Sequence, residues 1–242
     1  MKYLIANWKM SIYNAQIDKF FKDFKRAQFP GNITYGVSVP SVYLQKTALV
    51  LKKINWLAGG QNVAFAESGA YTGENSAKML KEIGTDFCLV GHSERRTYFN
   101  EDNQTINKKI KRLISNDIRP LLCIGETLEE YENKQTKKVL LKQLKECLDD
   151  IQDISNIIIA YEPVWAIGTG KTASTKDIKT NIQYIKQVIQ KMFNGKTVPV
   201  LYGGSVKPGK SADIFKIDCV DGALVGGASL NCADFWGIAK DM

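Results

Sequence analysis

Eight short apolar runs divide the chain at near-regular intervals, and no other feature constrains its fold as tightly. They read "KYLIAN" (2–7), "YGVSVP" (35–40), "NWLAGGQ" (55–61), "FCLVG" (87–91), "RPLLCIG" (119–125), "IIIAYE" (157–162), "VPVLYGG" (198–204) and "GALVGG" (222–227). Eight runs in 242 residues come one about every 30, the length of a strand–helix unit. Between them the apolar period changes. Val139, Leu140, Leu144, Cys147, Leu148 and Ile151 fall on one helical face, as do Ile178, Ile182, Ile185, Val188, Ile189 and Met192. The runs are almost continuously apolar, as in a parallel sheet covered on both faces. Alternating strands and helices fit either an open doubly-wound sheet or a closed barrel. Eight units without a linker or a break in composition favour one (β/α)8-barrel domain of parallel strands over residues 1–242. Both architectures place active sites at the carboxyl ends of strands. The polar and glycine residues gather there: Asn7, Gln61, His92, Glu162, Gly203 and Gly226.

Composition narrows the function classes. The formal charge of +8 comes mostly from lysines scattered through helix-like stretches, without a block of like charges and interleaved aromatics. Nucleic acid is therefore not expected as a partner, whereas a positive field helps draw in a small anion. Five cysteines lack CxxC spacing, and "MKYLIANWKM" has only a short apolar run before Asn7. Reduced thiols in a cytoplasmic protein are expected. No apolar run approaches the ~20 residues of a membrane span. One histidine and no cysteine cluster leave little to hold a zinc ion, so no metal is expected.

The stretch "AYEPVWAIGTGKTA" (160–173) invites two readings. Its "GTGKT" resembles a nucleotide-binding loop, but a P-loop needs glycine where Trp165 stands and a helix starting at the Lys-Thr pair. Here "TASTKD" intervenes, with Ser174 and Asp177 spaced as a later capping box. The other reading is a base followed by a lid. Glu162 ends an apolar strand and is either a surface glutamate that starts a loop or a group expected to point into the barrel mouth, where a carboxylate is poorly hydrated and suits proton abstraction. The segment 163–171 has proline at one end, glycines at the other, and apolar Val164, Trp165 and Ile167 between; these are core if permanently buried, while stiff ends around an apolar middle suit a lid that closes as a body.

His92 lies on the same edge, in "CLVGHSERR", with a helix expected to begin at Ser93 and keep the ring neutral. Glu94, Arg95 and Arg96 read as an ion-pair network. Lys9, in "ANWKM", is either a solvated charge or a fixed cation facing an anionic substrate. "YGGSV" (202–206) and "VGGAS" (225–229) offer backbone N–H groups after the seventh and eighth strands, the usual phosphate site of a barrel. Together these groups suit proton transfer beside a carbonyl in a small phosphorylated molecule, with no cofactor.

"ANWKM", "GAYTGENSAKML", "VGHSERR", "AYEPVWAIGTGKTA", "YGGSVKP" and "GALVGGASL" closely resemble the triosephosphate isomerase family, in order and spacing along nearly the whole chain. That family is itself a standard example of a glutamate base, a neutral histidine and a closing loop. The resemblance implies interconversion of dihydroxyacetone phosphate and glyceraldehyde 3-phosphate through an enediolate. Glu162 would move the carbon-bound proton, His92 would polarise the carbonyl, Lys9 would stabilise charge, and Glu94 would support it. Asn7 would bond a substrate oxygen, and Gly168, Ser205, Gly226 and Gly227 would hold the phosphate. Pro163, Val164, Trp165, Ala166, Ile167, Gly168, Thr169, Gly170 and Lys171 would form the lid, with Ile167 and Leu224 closing over the base. "SGAYTGE" (68–74) matches a loop that enters a neighbouring subunit, implying a homodimer with contacts at Thr72, Arg95 and Gln61. Cys123 resembles a family cysteine near the base and reads as packing. Ser11, "STKDIKTN", the segment around Lys210 and the ending "LNCADFWGIAKDM" depart from the family pattern without touching a matched catalytic position. Two other readings remain: a phosphate-binding barrel acting on a larger substrate, and a non-catalytic phosphate sensor or adhesin.

Overall fold

Every apolar run becomes a strand in the computed structural model, which describes residues 2–167 and 172–242. The strands are β1 (Lys2–Asn7), β2 (Ile33–Ser38), β3 (Leu57–Gly60), β4 (Phe87–Val90), β5 (Arg119–Ile124), β6 (Ile158–Tyr161), β7 (Val200–Tyr202) and β8 (Gly222–Val225). Each pairs in parallel with its sequence neighbour, and β8 returns to β1 to close the barrel. The helices are α1 (Asn14–Phe24), α2 (Ser41–Lys53), α3 (Ala77–Glu82), α4 (Ser93–Tyr98) and α5 (Asn103–Ile114). They continue as α6 (Leu128–Glu132), α7 (Thr136–Cys147), α8 (Thr175–Met192), α9 (Ala212–Phe215) and α10 (Cys232–Lys240).

Differences from the sequence reading are local. The run at 35–40 starts its strand two residues earlier and gives up Pro40, which instead precedes α2. The apolar stripe of α7 was expected to reach Ile151, but the helix stops at Cys147 and Asp150 adopts a left-handed φ of 56°. Leu148 and Ile151 are buried nonetheless, carried inward by the turn. Val139 and Met192, at the margins of their stripes, are only half-buried. Ser174 caps α8 by accepting from the Asp177 N–H at 3.1 Å. The Asp177 carboxylate bonds the Ser174 hydroxyl at 2.6 Å, so one half of the expected box forms.

Two apolar layers result. Tyr3, Ile5, Phe87, Leu89, Leu121, Cys123, Ile158, Ala160, Leu201 and Leu224 form the barrel interior. Leu4, Ala6, Val37, Val90, Leu122, Ile159 and Val200 point outward into the layer beneath the helices. Phe87 is too large for a fully lined barrel. A β-carbon on Gly59 would lie 2.2 Å from its ring and one on Gly36 would lie 3.0 Å away, so the two glycines vacate the space the ring fills. Among the described residues all five cysteines are free, and no helix is long and apolar enough to cross a membrane.

Candidate active site

Strand alternation carries the chemistry to one place. Because side chains on a strand point alternately in and out, an inner-facing series continues one step past the strand end. Tyr3 and Ile5 lead to Asn7, Ile158 and Ala160 lead to Glu162, Leu201 leads to Gly203, and Leu224 leads to Gly226. These ends surround a cavity of about 230 Å³ that also takes in Lys9, His92, Ile167 and Ser205. Asn7, His92 and Glu162 are buried at its base, Glu162 with only 2% of its surface exposed.

His92 precedes α4 as its cap. Its Nδ1 accepts from the Glu94 backbone N–H at 3.2 Å, so the hydrogen-bond pattern assigns the ring proton to Nε2 and leaves the ring neutral. That Nε2 lies 3.2 Å from Oε1 of Glu162. The other Glu162 oxygen accepts from the Ser93 backbone N–H at 3.1 Å, at the positive end of α4. Ser93 was named only as the expected helix start, and a helix opening beside a strand-end acid was the available signal. Lys9 occupies a left-handed φ of 48°, its N–H bonded to Oδ1 of Asn7 at 3.1 Å and its Nζ 2.6 Å from Oε1 of Glu94.

Glycines make this packing possible. A β-carbon on Gly203 would fall 2.7 Å from Cγ of Glu162, and one on Gly125 would fall 1.7 Å from the Glu162 carbonyl oxygen. The first glycine leaves room for the side chain. The second allows the β5 and β6 ends to meet, where the Glu162 N–H bonds the Ile124 carbonyl at 2.7 Å. Cys123 lies beneath the carboxylate. Burial, and then the Glu162 charge, push its thiol well above the ordinary value, which makes it a packing group rather than a nucleophile.

The segment after Glu162 divides. Val164–Ala166 forms one turn of 3-10 helix. Trp165 is buried, stacks on Tyr131 at 4.3 Å and donates its indole N–H to Oε1 of Glu126 at 2.9 Å. Tyr161 donates to the same oxygen at 3.1 Å and accepts from Asn181 at 2.7 Å. Glu126 is wholly buried and was not singled out in the sequence; desolvation, ahead of every other cause, raises its carboxyl. Of the apolar trio in this segment, Ile167 lines the cavity, opposite Leu224. Gly168, Thr169, Gly170 and Lys171 lie outside the described residues. The helix that a P-loop requires at Lys171-Thr172 begins only at Thr175.

Ser205, Gly226 and Gly227 stand together on the cavity rim after β7 and β8. Arg95 pairs with Glu101, which also binds the buried Lys109. Arg96 corrects the ion-pair reading: its guanidinium goes to backbone carbonyls and to Asn103. Gln61 donates to Asn7, to the Lys9 carbonyl and to the Ser38 carbonyl at 3.1–3.3 Å. Thr72 is exposed on a loop whose base is fastened by the Ala64 N–H to the Asn75 carbonyl at 2.8 Å.

A family model described as triosephosphate isomerase matches residues 2–242. The chain is 43% identical over 242 residues to the triosephosphate isomerase of Alkaliphilus metalliredigens (strain QYMF), with 98% of each chain covered. It is 42% identical over 241 residues to that of Finegoldia magna, covering 97% of this chain and 96% of the relative. The Caldanaerobacter subterraneus enzyme of the same name is 41% identical over 237 residues, covering 96% of both.

Proposed function

The chain belongs to the triosephosphate isomerase family, and we infer that it interconverts dihydroxyacetone phosphate and D-glyceraldehyde 3-phosphate by proton transfer through an enediolate. The observation that carries the residue roles is the approach of His92 Nε2 to the Glu162 carboxylate, 3.2 Å apart at the base of the cavity. Glu162 is the base that takes the proton from the substrate carbon. His92, with its proton on Nε2, donates to the carbonyl oxygen and returns a proton between the two oxygens. Lys9 supplies a fixed positive charge beside the developing enediolate, held in direction by Glu94, and Asn7 bonds a substrate oxygen. Backbone N–H groups of Ser205, Gly226 and Gly227 receive the phosphate, joined by Gly168.

One oxygen of Glu162 accepts from the Ser93 N–H at rest, and the other lies 3.2 Å from His92 Nε2. To reach a carbon-bound proton the carboxylate has to turn from these neighbours towards the substrate. Closure of segment 163–171 supplies that movement in this reading, bringing Ile167 and Leu224 over the base and excluding water that would let the enediolate eliminate phosphate. A cavity of about 230 Å³ lies below the roughly 300–1,000 Å³ of drug-sized ligand sites, which favours a three-carbon substrate over a larger phosphate.

A second cleft of about 380 Å³ shares Asn7, Lys9 and His92 with the first and is bordered by Gln61, Arg95 and Phe99. Met10 and Phe99, both exposed, line it. In this reading a second copy's loop 68–74, carrying Thr72, enters this cleft, and the working form is a homodimer. The free thiols suit a reducing cytoplasm. The test is a coupled isomerase assay without added metal or nucleotide, wild type beside Glu162→Gln. Wild-type turnover with at least ~100-fold loss in the variant is expected, and a loss below about tenfold would remove Glu162 as the base.

A further inference from the structure

The residue roles above leave Arg96 unused, although it is the most multiply bonded side chain behind the site. The β4–β5 ladder ends at the Val90–Leu122 pair. One step beyond, the next two carbonyls are joined by a side chain instead. Arg96 Nε donates to the Gly91 carbonyl at 2.7 Å, and its Nη2 donates to the Cys123 carbonyl at 3.2 Å. Its Nη1 donates to Oδ1 of Asn103 at 2.6 Å, and Asn103 donates to Glu146 on α7 at 2.7 Å. The planar guanidinium therefore acts as an added rung at the mouth of the barrel, anchored outward through α5 and α7.

Both carbonyls it joins adjoin the chemistry. Gly91 immediately precedes His92 in the chain. Cys123 precedes Ile124, whose carbonyl accepts the Glu162 N–H at 2.7 Å. The sequence makes room for this rung: Gly91 has a left-handed φ of 70°, and a β-carbon there would fall 2.9 Å from Nη2 of Arg96. A lysine carries the same charge but cannot offer three donors in one plane. We propose that Arg96 is a positioning residue for the isomerisation, fixing the strand end that bears His92 against the strand end that seats Glu162. The proposal rests on the roles given to those two residues above.

The chain holds a single histidine, so ¹⁵N-histidine labelling of untagged protein reports on one ring. The experiment compares wild type, Arg96→Lys and Glu162→Gln by steady-state kinetics and by that ring's ¹⁵N–¹H spectrum. In Arg96→Lys we expect kcat to fall about tenfold, because sub-ångström misplacement of reacting groups is costly. KM and the inhibition constant for inorganic phosphate should stay within about twofold, since the phosphate cradle lies on other loops. The ring signals should shift or broaden as the single hydrogen-bonding pattern is lost. A purely structural role lowers the melting temperature but leaves folded enzyme with the wild-type ring spectrum and kcat. An unchanged ring spectrum, a kcat within twofold of wild type, or a loss carried by KM overturns the proposal. Asn103→Ala, which removes only the outer anchor, gives the same readouts if the lysine variant does not fold; a drop in kcat of about twofold with a ring shift is expected there, and wild-type values for both overturn the proposal. Active wild type beside an inactive Glu162→Gln preserves the underlying reading whatever Arg96 does.

Discussion

The two ends of the barrel are built from the same strands and the same alternation, yet they do opposite work. Toward the amino ends, the inner-facing series holds Tyr3, Phe87, Ile158 and Leu201; Phe87 fills the space left by Gly59 and shares that left by Gly36 with Ile5. Toward the carboxyl ends, the same series reaches Asn7, Glu162, Gly203 and Gly226. One end gains stability by excluding water from apolar surface. The other buries a carboxylate and an imidazole, a costly choice offset in part by the backbone N–H groups that open α4, Ser93 to Glu162 and Glu94 to His92. The difference shows how a packed core becomes a reactive one without any change of backbone plan.

Substitutions at the two ends should separate these roles. The largest effect on activity is expected at Glu162→Gln, with at least ~100-fold lower kcat and little change in melting temperature. Phe87→Ala should behave in the opposite way. Emptying that ring is expected to remove about 3–5 kcal/mol of stability in denaturant titrations while the folded fraction keeps its specific activity. Gly203→Ala tests the boundary between the two layers. Its new methyl would meet Glu162 Cγ at 2.7 Å, so kcat is expected to fall about tenfold with folding retained. Equal activity and stability losses in all three would erase the division.

A smaller effect concerns Glu126, beneath Trp165. Burial raises its carboxyl, so the folded protein keeps a proton there that the unfolded chain has already released. The folded state then binds more protons, and this group lowers stability as pH rises from the ordinary carboxylate value through the raised one. Glu126→Gln removes that titration. The melting temperature of the variant relative to wild type should therefore improve as pH rises from about 4 towards neutrality. A constant difference across that range would show that Glu126 does not titrate between the two states.

Strand positions were legible because continuous apolar runs and turn glycines act locally. The inward direction of Glu162 was legible because alternation fixes it from Ile158 and Ala160. The helix start at Ser93 was legible in the residues that follow His92, whereas the ring's own role as its cap appears only in the structure. Glu126 and Arg96 were not legible in role, because the Glu126 partners are rings far along the chain and Arg96 bonds backbone carbonyls, which no side-chain spacing marks. Arg96 follows Glu94 and Arg95 and reads as one more surface charge until Gly91 and Cys123 are placed beside it. The end of α7 was misjudged because Ile151 keeps its buried place through a turn rather than a helix.

The central claim is that Glu162, at the active end of the β6 series, removes the proton from the substrate carbon. Proton NMR of dihydroxyacetone phosphate turned over in D₂O follows that step directly. The wild type should place deuterium on carbon as it isomerises, while Glu162→Gln should slow this incorporation at least ~100-fold with inhibition by inorganic phosphate unchanged. Incorporation by the variant within tenfold of wild type would contradict the assignment.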